Sequence, residues 1–148
     1  MGYSNSMDES YVLGIEEIAI AVKDADKGVS LFNELFGFDF DLGWELLHEK
    51  IRVKSQRIGE TQFQLLESIT NDSVVARFIE KKGEGLNHIA FRVCKLKELV
   101  AKLKRKGVHL IPDEPVVIDN PVTGEGKLSY IFVHPKSALG ILIELIEY

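Results

Sequence analysis

The chain repeats itself, and this limits its possible folds more than any other feature does. Gly14-Ile-Glu-Glu-Ile-Ala-Ile-Ala-Val22 lines up without gaps on Gly85-Leu-Asn-His-Ile-Ala-Phe-Arg-Val93. Both segments alternate with period two and are rich in branched residues, so both read as strands. Each runs into a helical pattern. Asp24 to Phe36 places Val29, Phe32, Leu35 and Phe36 on one stripe and stops at Gly37. Lys95 to Lys106 does the same with Leu96, Leu99, Val100 and Leu103 and stops at Gly107. Strand-like runs follow, and the halves end on another gapless match, Gln64-Leu-Leu-Glu67 with Glu144-Leu-Ile-Glu147. Each half is therefore a βαβββ unit, spanning about residues 13–68 and 84–148. Between them, Asp72 or Ser73 caps a linker helix over about 73–82 that Gly83 ends. Neither half can bury its sheet face alone. Two copies of one unit predict an α+β domain with internal pseudo-twofold symmetry.

Composition narrows the class. A chain of 148 residues suits one domain, here residues 13–148. Its 45% apolar content excludes a disordered or fibrous chain, and no apolar run approaches the ~20 residues of a membrane helix. With 18 basic and 23 acidic residues, the net charge of −5 argues against a nucleic-acid partner. Cys94 is the only cysteine, so neither a disulfide framework nor a cysteine zinc site is available. A soluble cytoplasmic protein with no membrane partner is expected. Residues 1–12 read as a polar tail without the apolar core of a signal peptide. Met1-Gly2 with Ser6 fits the loose myristoylation pattern, while Met7 offers an alternative native start.

Polar residues recur at equivalent places in the repeat. Strict alternation puts Ile15, Ala19 and Ala21 on the face of Glu17, and Leu86, Ala90 and Arg92 on the face of His88. Glu17 and His88 are repeat equivalents, each followed on its face by a small alanine. Gln64 and Glu144 are also equivalents, and a pseudo-twofold brings all four together. Two carboxylates, an amide oxygen and an imidazole suit a divalent metal with positions left open for water or substrate. The negative charges offset the ion's charge, which lowers the cost of burying them.

The layout and motifs resemble the vicinal oxygen chelate superfamily, which includes glyoxalase I, extradiol dioxygenases and bleomycin-resistance proteins. The resemblance runs from about Leu13 to Tyr148 and within the superfamily is strongest to the methylmalonyl-CoA epimerases. It is carried by Glu67 to Val93, by Lys106-Gly-Val-His-Leu-Ile111 with Asp113-Glu-Pro115, and by His134-Pro-Lys-Ser137 followed by Gly140-Ile-Leu-Ile-Glu-Leu145. It implies a curved eight-stranded sheet closing into a cup, usually in a homodimer, with the four metal positions on Glu17, Gln64, His88 and Glu144. It also implies a divalent ion (Co, Mn, Mg, Ni or Zn) and an epimerase moving a proton alpha to an acyl-CoA thioester through an enolate, with Glu144 as ligand and proton-transfer group. The alternatives are glyoxalase I-type lactoylglutathione lyase activity and a bleomycin-resistance type of binding without turnover. A dioxygenase needs two histidines on iron, and only His88 is at hand.

Two departures stand out. The epimerases usually carry histidine where this chain has Glu17; a carboxylate there makes the site harder and more negative. A second catalytic glutamate of some epimerases matches Val53, which cannot take a proton. By resemblance His134-Pro-Lys-Ser137 lies near the mouth of the cup, which makes Lys136 and Ser137 candidates for binding an anionic substrate group. Lys102, Lys104, Arg105 and Lys106 complement a helix C-terminus. His48, His109 and Cys94 have no partner in the repeat and read as ordinary positions, and spacing places neither Glu45, Glu49 nor Arg57 in the cup.

Overall fold

The computed structural model describes residues 10–148. Most of the expected tail, with the Met1-Gly2 pattern, lies outside the described residues. The first half is strand β1 (Val12–Val22), helix α1 (Ala25–Phe36), then β2 (Leu42–Leu46), β3 (Ile51–Ile58) and β4 (Thr61–Ser68). Helix α2 (Val74–Lys82) links it to β5 (Gly85–Val93), α3 (Leu96–Arg105), β6 (Leu110–Asp119), β7 (Lys127–Val133) and β8 (Ile143–Glu147). All eight strands form one sheet in the order β2-β3-β4-β1-β5-β8-β7-β6, the curled α+β architecture that the repeat and the resemblance predict. The order is symmetric about the central antiparallel pair. β1 pairs in parallel with β4, and β5 in parallel with β8.

The repeat governs the local chemistry as well. Asp24 caps α1 by accepting from Lys27 N–H, and Ser73 caps α2 by accepting from Ala76 N–H at 2.9 Å. α3 has no such side-chain cap of its own. The closing glutamates of the two repeats serve the helix starts instead. Glu67 accepts from Ala25 N–H at 3.3 Å, and Glu147 accepts from Leu96 N–H at 3.2 Å. A carboxylate at a helix N-terminus satisfies an orphan donor and complements the dipole.

The convex face carries α1 and α3. Ile20, Val22, Val29 and Phe32 pack around buried Leu65, and Val93, Leu96, Leu99 and Val100 pack around buried Ile131. The α1 stripe is narrower than its periodicity suggests: Leu35 and Phe36 stay exposed, although the Phe36 ring meets those of Phe32 and Phe38 at a tilt. On the concave face Ala19 and Ala21 lie with Val53 and Leu66, and Ala90 with Tyr130 and Ile146. The cup closes where the β2–β3 turn reaches Tyr130 of β7.

The β1–β5 register shifts at three points, one near the start of β1 at Leu13 and two at equivalent places in the repeat, where strict alternation fails. Ile15 pairs with Phe91 but Glu17 with Ala90, so Glu16 is an extra residue in β1. Ala19 pairs with His88 but Ile20 with Leu86, so Asn87 is an extra residue in β5. A bulge puts two successive residues opposite one partner and re-aims the side chains around it. Ile15 and Leu86 are therefore not on the faces of Glu17 and His88, as alternation implies; they align with the convex-side residues Phe91 and Ile20.

Candidate metal and proton-transfer site

The concave face holds a cavity of about 510 Å³ whose wall includes Glu17, Gln64, His88 and Glu144. Strand register brings them together in two rows. Gln64 sits beside Ala19, and Ala19 beside His88; Glu17 sits beside Ala90, and Ala90 beside Glu144. Both alanines are completely buried, so the space in front of the sheet is left to the polar groups. His88 Nε2 lies 3.0 Å from Glu144 Oε2 and 3.4 Å from Glu17 Oε2. One donor atom from each of the three falls within 4.8 Å of the others, close enough to share an ion.

The bulge residues orient these donors. Asn87 Oδ1 is 2.9 Å from His88 Nδ1 and accepts its proton, which turns Nε2 toward the carboxylates, the arrangement a ligating imidazole uses. Its equivalent, Glu16, is buried beside Glu17 and accepts from Arg92 Nη1 at 3.2 Å and from the Tyr148 hydroxyl at 2.7 Å. Gln64 is held by its own strand. Its Nε2 donates to Gln62 Oε1 at 3.1 Å, which also accepts from Ser55 at 2.9 Å, so the Gln64 amide oxygen is the end left to act as a ligand.

The electrostatics call for a cation. Burial raises the Glu144 carboxyl to about 8, and the charge of Glu17 adds to the rise against the opposing pull of His88. Burial alone lowers the His88 pKa, but hydrogen bonds to Glu144 and Glu17 outweigh it and raise the imidazole to about 10. A cluster that holds protons this tightly is short of positive charge. Two carboxylates, an imidazole and an amide oxygen in a mostly apolar cavity therefore fit a divalent ion by donor chemistry and by charge.

Sequence reasoning missed a second polar group on the wall. Val53 is buried there as expected, but Glu49, in the β2–β3 turn, lines the same cavity. The Tyr130 hydroxyl donates to Glu49 Oε1 at 2.5 Å and lies 2.8 Å from His48 Nε2. A turn residue has no partner in the repeat and no fixed period, so neither signal reports it. The hairpin's reach across to β7 exists only in the closed cup.

Lys136 and Ser137 lie in a 3-10 turn (Pro135–Ser137) and do not line the cavity. The Ser137 hydroxyl instead accepts from His109 N–H at 3.1 Å, tying the turn to the start of β6. His109 stacks on His134 with ring centroids 4.7 Å apart, away from the cavity wall.

Residues 16–123 match the family model described as the Glyoxalase/Bleomycin resistance protein/Dioxygenase superfamily. The chain belongs to that superfamily. It is 30% identical over 132 residues to mitochondrial methylmalonyl-CoA epimerase of Homo sapiens, covering 88% of this chain and 72% of that one. The crystal structure of methylmalonyl-CoA epimerase from Mycobacterium tuberculosis superposes with a TM-score of 0.82 at 28% identity, covering 94% of this chain and 90% of the other. A methylmalonyl-CoA epimerase in complex with methylmalonyl-CoA and NH4+ superposes at 0.81, with 30% identity and coverage of 93% and 95%. By this kinship the chain is an epimerase-like isomerase. Among the described residues no helix is long and apolar enough to cross a membrane.

Proposed function

We propose that the chain is a divalent-metal-dependent epimerase that moves the proton alpha to the thioester carbonyl of a small branched acyl-CoA, methylmalonyl-CoA being the first candidate. Glu17, Gln64, His88 and Glu144 are the proposed ligands. When bound, the ion supplies a Lewis acid for the thioester oxygen, which makes the alpha proton more acidic. The rest is the work of this chain's own groups. Epimerisation removes a proton from one face of a carbon and returns one to the other face, so it needs acid–base groups on both sides.

The observation that carries the reading is the presence of two cavity carboxylates on different parts of the cup. Glu144 comes from β8 and Glu49 from the β2–β3 turn of the other half. Glu144 serves one face and Glu49 the other, and the apolar wall of Leu66, Val53 and Ile146 keeps bulk water from the enolate. A homodimer is the proposed active form, as the superfamily resemblance implies, and sedimentation equilibrium tests it.

In deuterated water, with Co or Mn supplied, the protein washes deuterium into the alpha carbon of methylmalonyl-CoA, and a chelator stops it. No exchange with any divalent metal, alongside turnover of a glutathione hemithioacetal, moves the assignment to glyoxalase I chemistry. Inertness toward both, with tight binding of a small molecule, makes the chain a binding protein.

A further inference from the structure

The chain His48–Tyr130–Glu49 has a geometry that holding a fold together does not require. Both ends reach the cavity, Glu49 the more sheltered with a side chain 31% exposed and His48 the more open to solvent at 45%. Between them Tyr130 is 4% exposed, with its hydroxyl within hydrogen-bond reach of both. The direct path from His48 Nε2 to Glu49 Oε1 is 3.7 Å, too long for a good hydrogen bond, so the phenol is the bridge. We infer that His48 and Tyr130 form a proton relay that exchanges the proton of Glu49 with solvent at the rim of the cup. The inference rests on the epimerase reading above, in which Glu49 takes a substrate proton.

The steps balance. The alpha C–H bond breaks, its electron pair stays in the enolate, and the proton goes to a Glu49 oxygen. Glu49 then donates to the Tyr130 oxygen as the Tyr130 hydroxyl turns and gives its own proton to His48 Nε2. The resulting imidazolium releases its Nδ1 proton to water. One proton leaves the cavity, Tyr130 ends as a neutral phenol, and the reverse sequence reloads Glu49. Burial and the neighbouring Glu49 carboxylate hold the Tyr130 phenol far above the physiological range, so it conducts as a hydroxyl rather than as a phenolate. Histidine at the more exposed end suits the task, because its ring has two nitrogens, one to take a proton and the other to release one. Tyr130 and His48 act through Glu49 and are positioning residues, not catalytic ones.

The test separates proton exchange from turnover. Each epimer of methylmalonyl-CoA is incubated with the Co-loaded protein in deuterated water, and deuterium is measured in recovered substrate and in product at early conversion. Substrate that is deprotonated and then returned gains deuterium only if the base has exchanged with solvent in the meantime. In Tyr130→Phe, and separately in His48→Gln at its exposed site, deuterium in recovered substrate per product formed falls at least several-fold for one epimer. That is the epimer whose proton goes to Glu49; the other, served by Glu144, keeps the parental ratio. Parental ratios for both epimers in both variants overturn the relay and leave the epimerase reading standing. A parental protein that incorporates no deuterium with any divalent metal overturns both.

Discussion

The Glu17–His88–Glu144 cluster, as the proposed metal site, sets a quantitative expectation about pH. Without an ion, His88 keeps its proton up to about pH 10 and Glu144 up to about pH 8. A divalent ion needs both as bare ligands, so near neutral pH its binding expels about two protons. Affinity then rises with pH, on the order of tenfold per pH unit for each proton displaced. The sign for the metal-free fold is the opposite. Both folded-state pKa values lie above their unfolded values, so the folded state holds more protons than the unfolded one. His88 loses its stabilising charge as pH rises through about 10, and Glu144 is forced to ionise while buried as pH rises toward about 8. Metal-free stability therefore falls with rising pH.

At a hundredfold excess over Kd the ion stabilises the fold by about 2.7 kcal/mol, which for a domain of this size is a Tm increase of roughly 5–10 °C. That increase widens between pH 6 and pH 8 at fixed Mn or Co concentration. Thermal unfolding with and without metal measures it, and titration calorimetry in buffers of different ionisation enthalpy counts the protons. An affinity independent of pH, or tighter at pH 6 than at pH 8, refutes the reasoning. So does a Tm increase that survives in His88→Ala.

Glu144→Gln keeps the fold but lowers the epimerisation rate by about 10²–10⁴, the usual effect of removing a positioned acid or base, read as deuterium wash-in at saturating metal. Glu49→Gln lowers epimerisation by a similar ~10²–10⁴ yet leaves Mn affinity within about twofold, since Glu49 stands outside the ligand cluster. Gly28→Ala tests the packing of α1: the added Cβ meets Leu65 Cδ1 at 2.8 Å, and Leu65 is fully buried. Overpacking of ~1–3 kcal/mol outweighs the ~1 kcal/mol gained in helix propensity, so a net loss of about 1 kcal/mol is expected in urea unfolding.

The repeat made most of the fold legible, because residues matched in sequence do matched work in the structure. Glu67 and Glu147 cap matched helices, and Ala19 and Ala90 open matched space. What the repeat could not show was how the two central strands register on each other. Strict alternation put Ile15 and Leu86 on the ligand face, and the two bulges move them off it. The signal was in the sequence: Glu16-Glu17 and Asn87-His88 are adjacent polar pairs at matched positions in otherwise alternating strands, and such a break in period marks an inserted residue. Glu49 and His48 had no such signal. They enter the cavity only because the sheet curls far enough for a hairpin turn near one edge to touch β7 near the other.

The carboxylate at Glu17, in place of the usual imidazole, has a meaning in terms of charge. Near neutral pH the metal-free cluster holds one proton on His88 and one on Glu144 that their ordinary pKa values would not keep. Put a divalent ion there and the two protons leave. Two positive charges arrive as two leave, and the two carboxylates then face the two charges of the ion. The exchange leaves the buried charge unchanged, so neither state pays the large cost of an uncompensated charge in an apolar cup. With imidazole at that position the loaded site would carry one net positive charge, which favours a developing enolate more strongly. A neutral loaded site gives up part of that attraction, which puts more of the stabilisation on hydrogen bonding and on fast proton handling. The Glu49–Tyr130–His48 chain, in which Tyr130 sits on the strand beside that of Glu144, is where this cup has the groups to provide it.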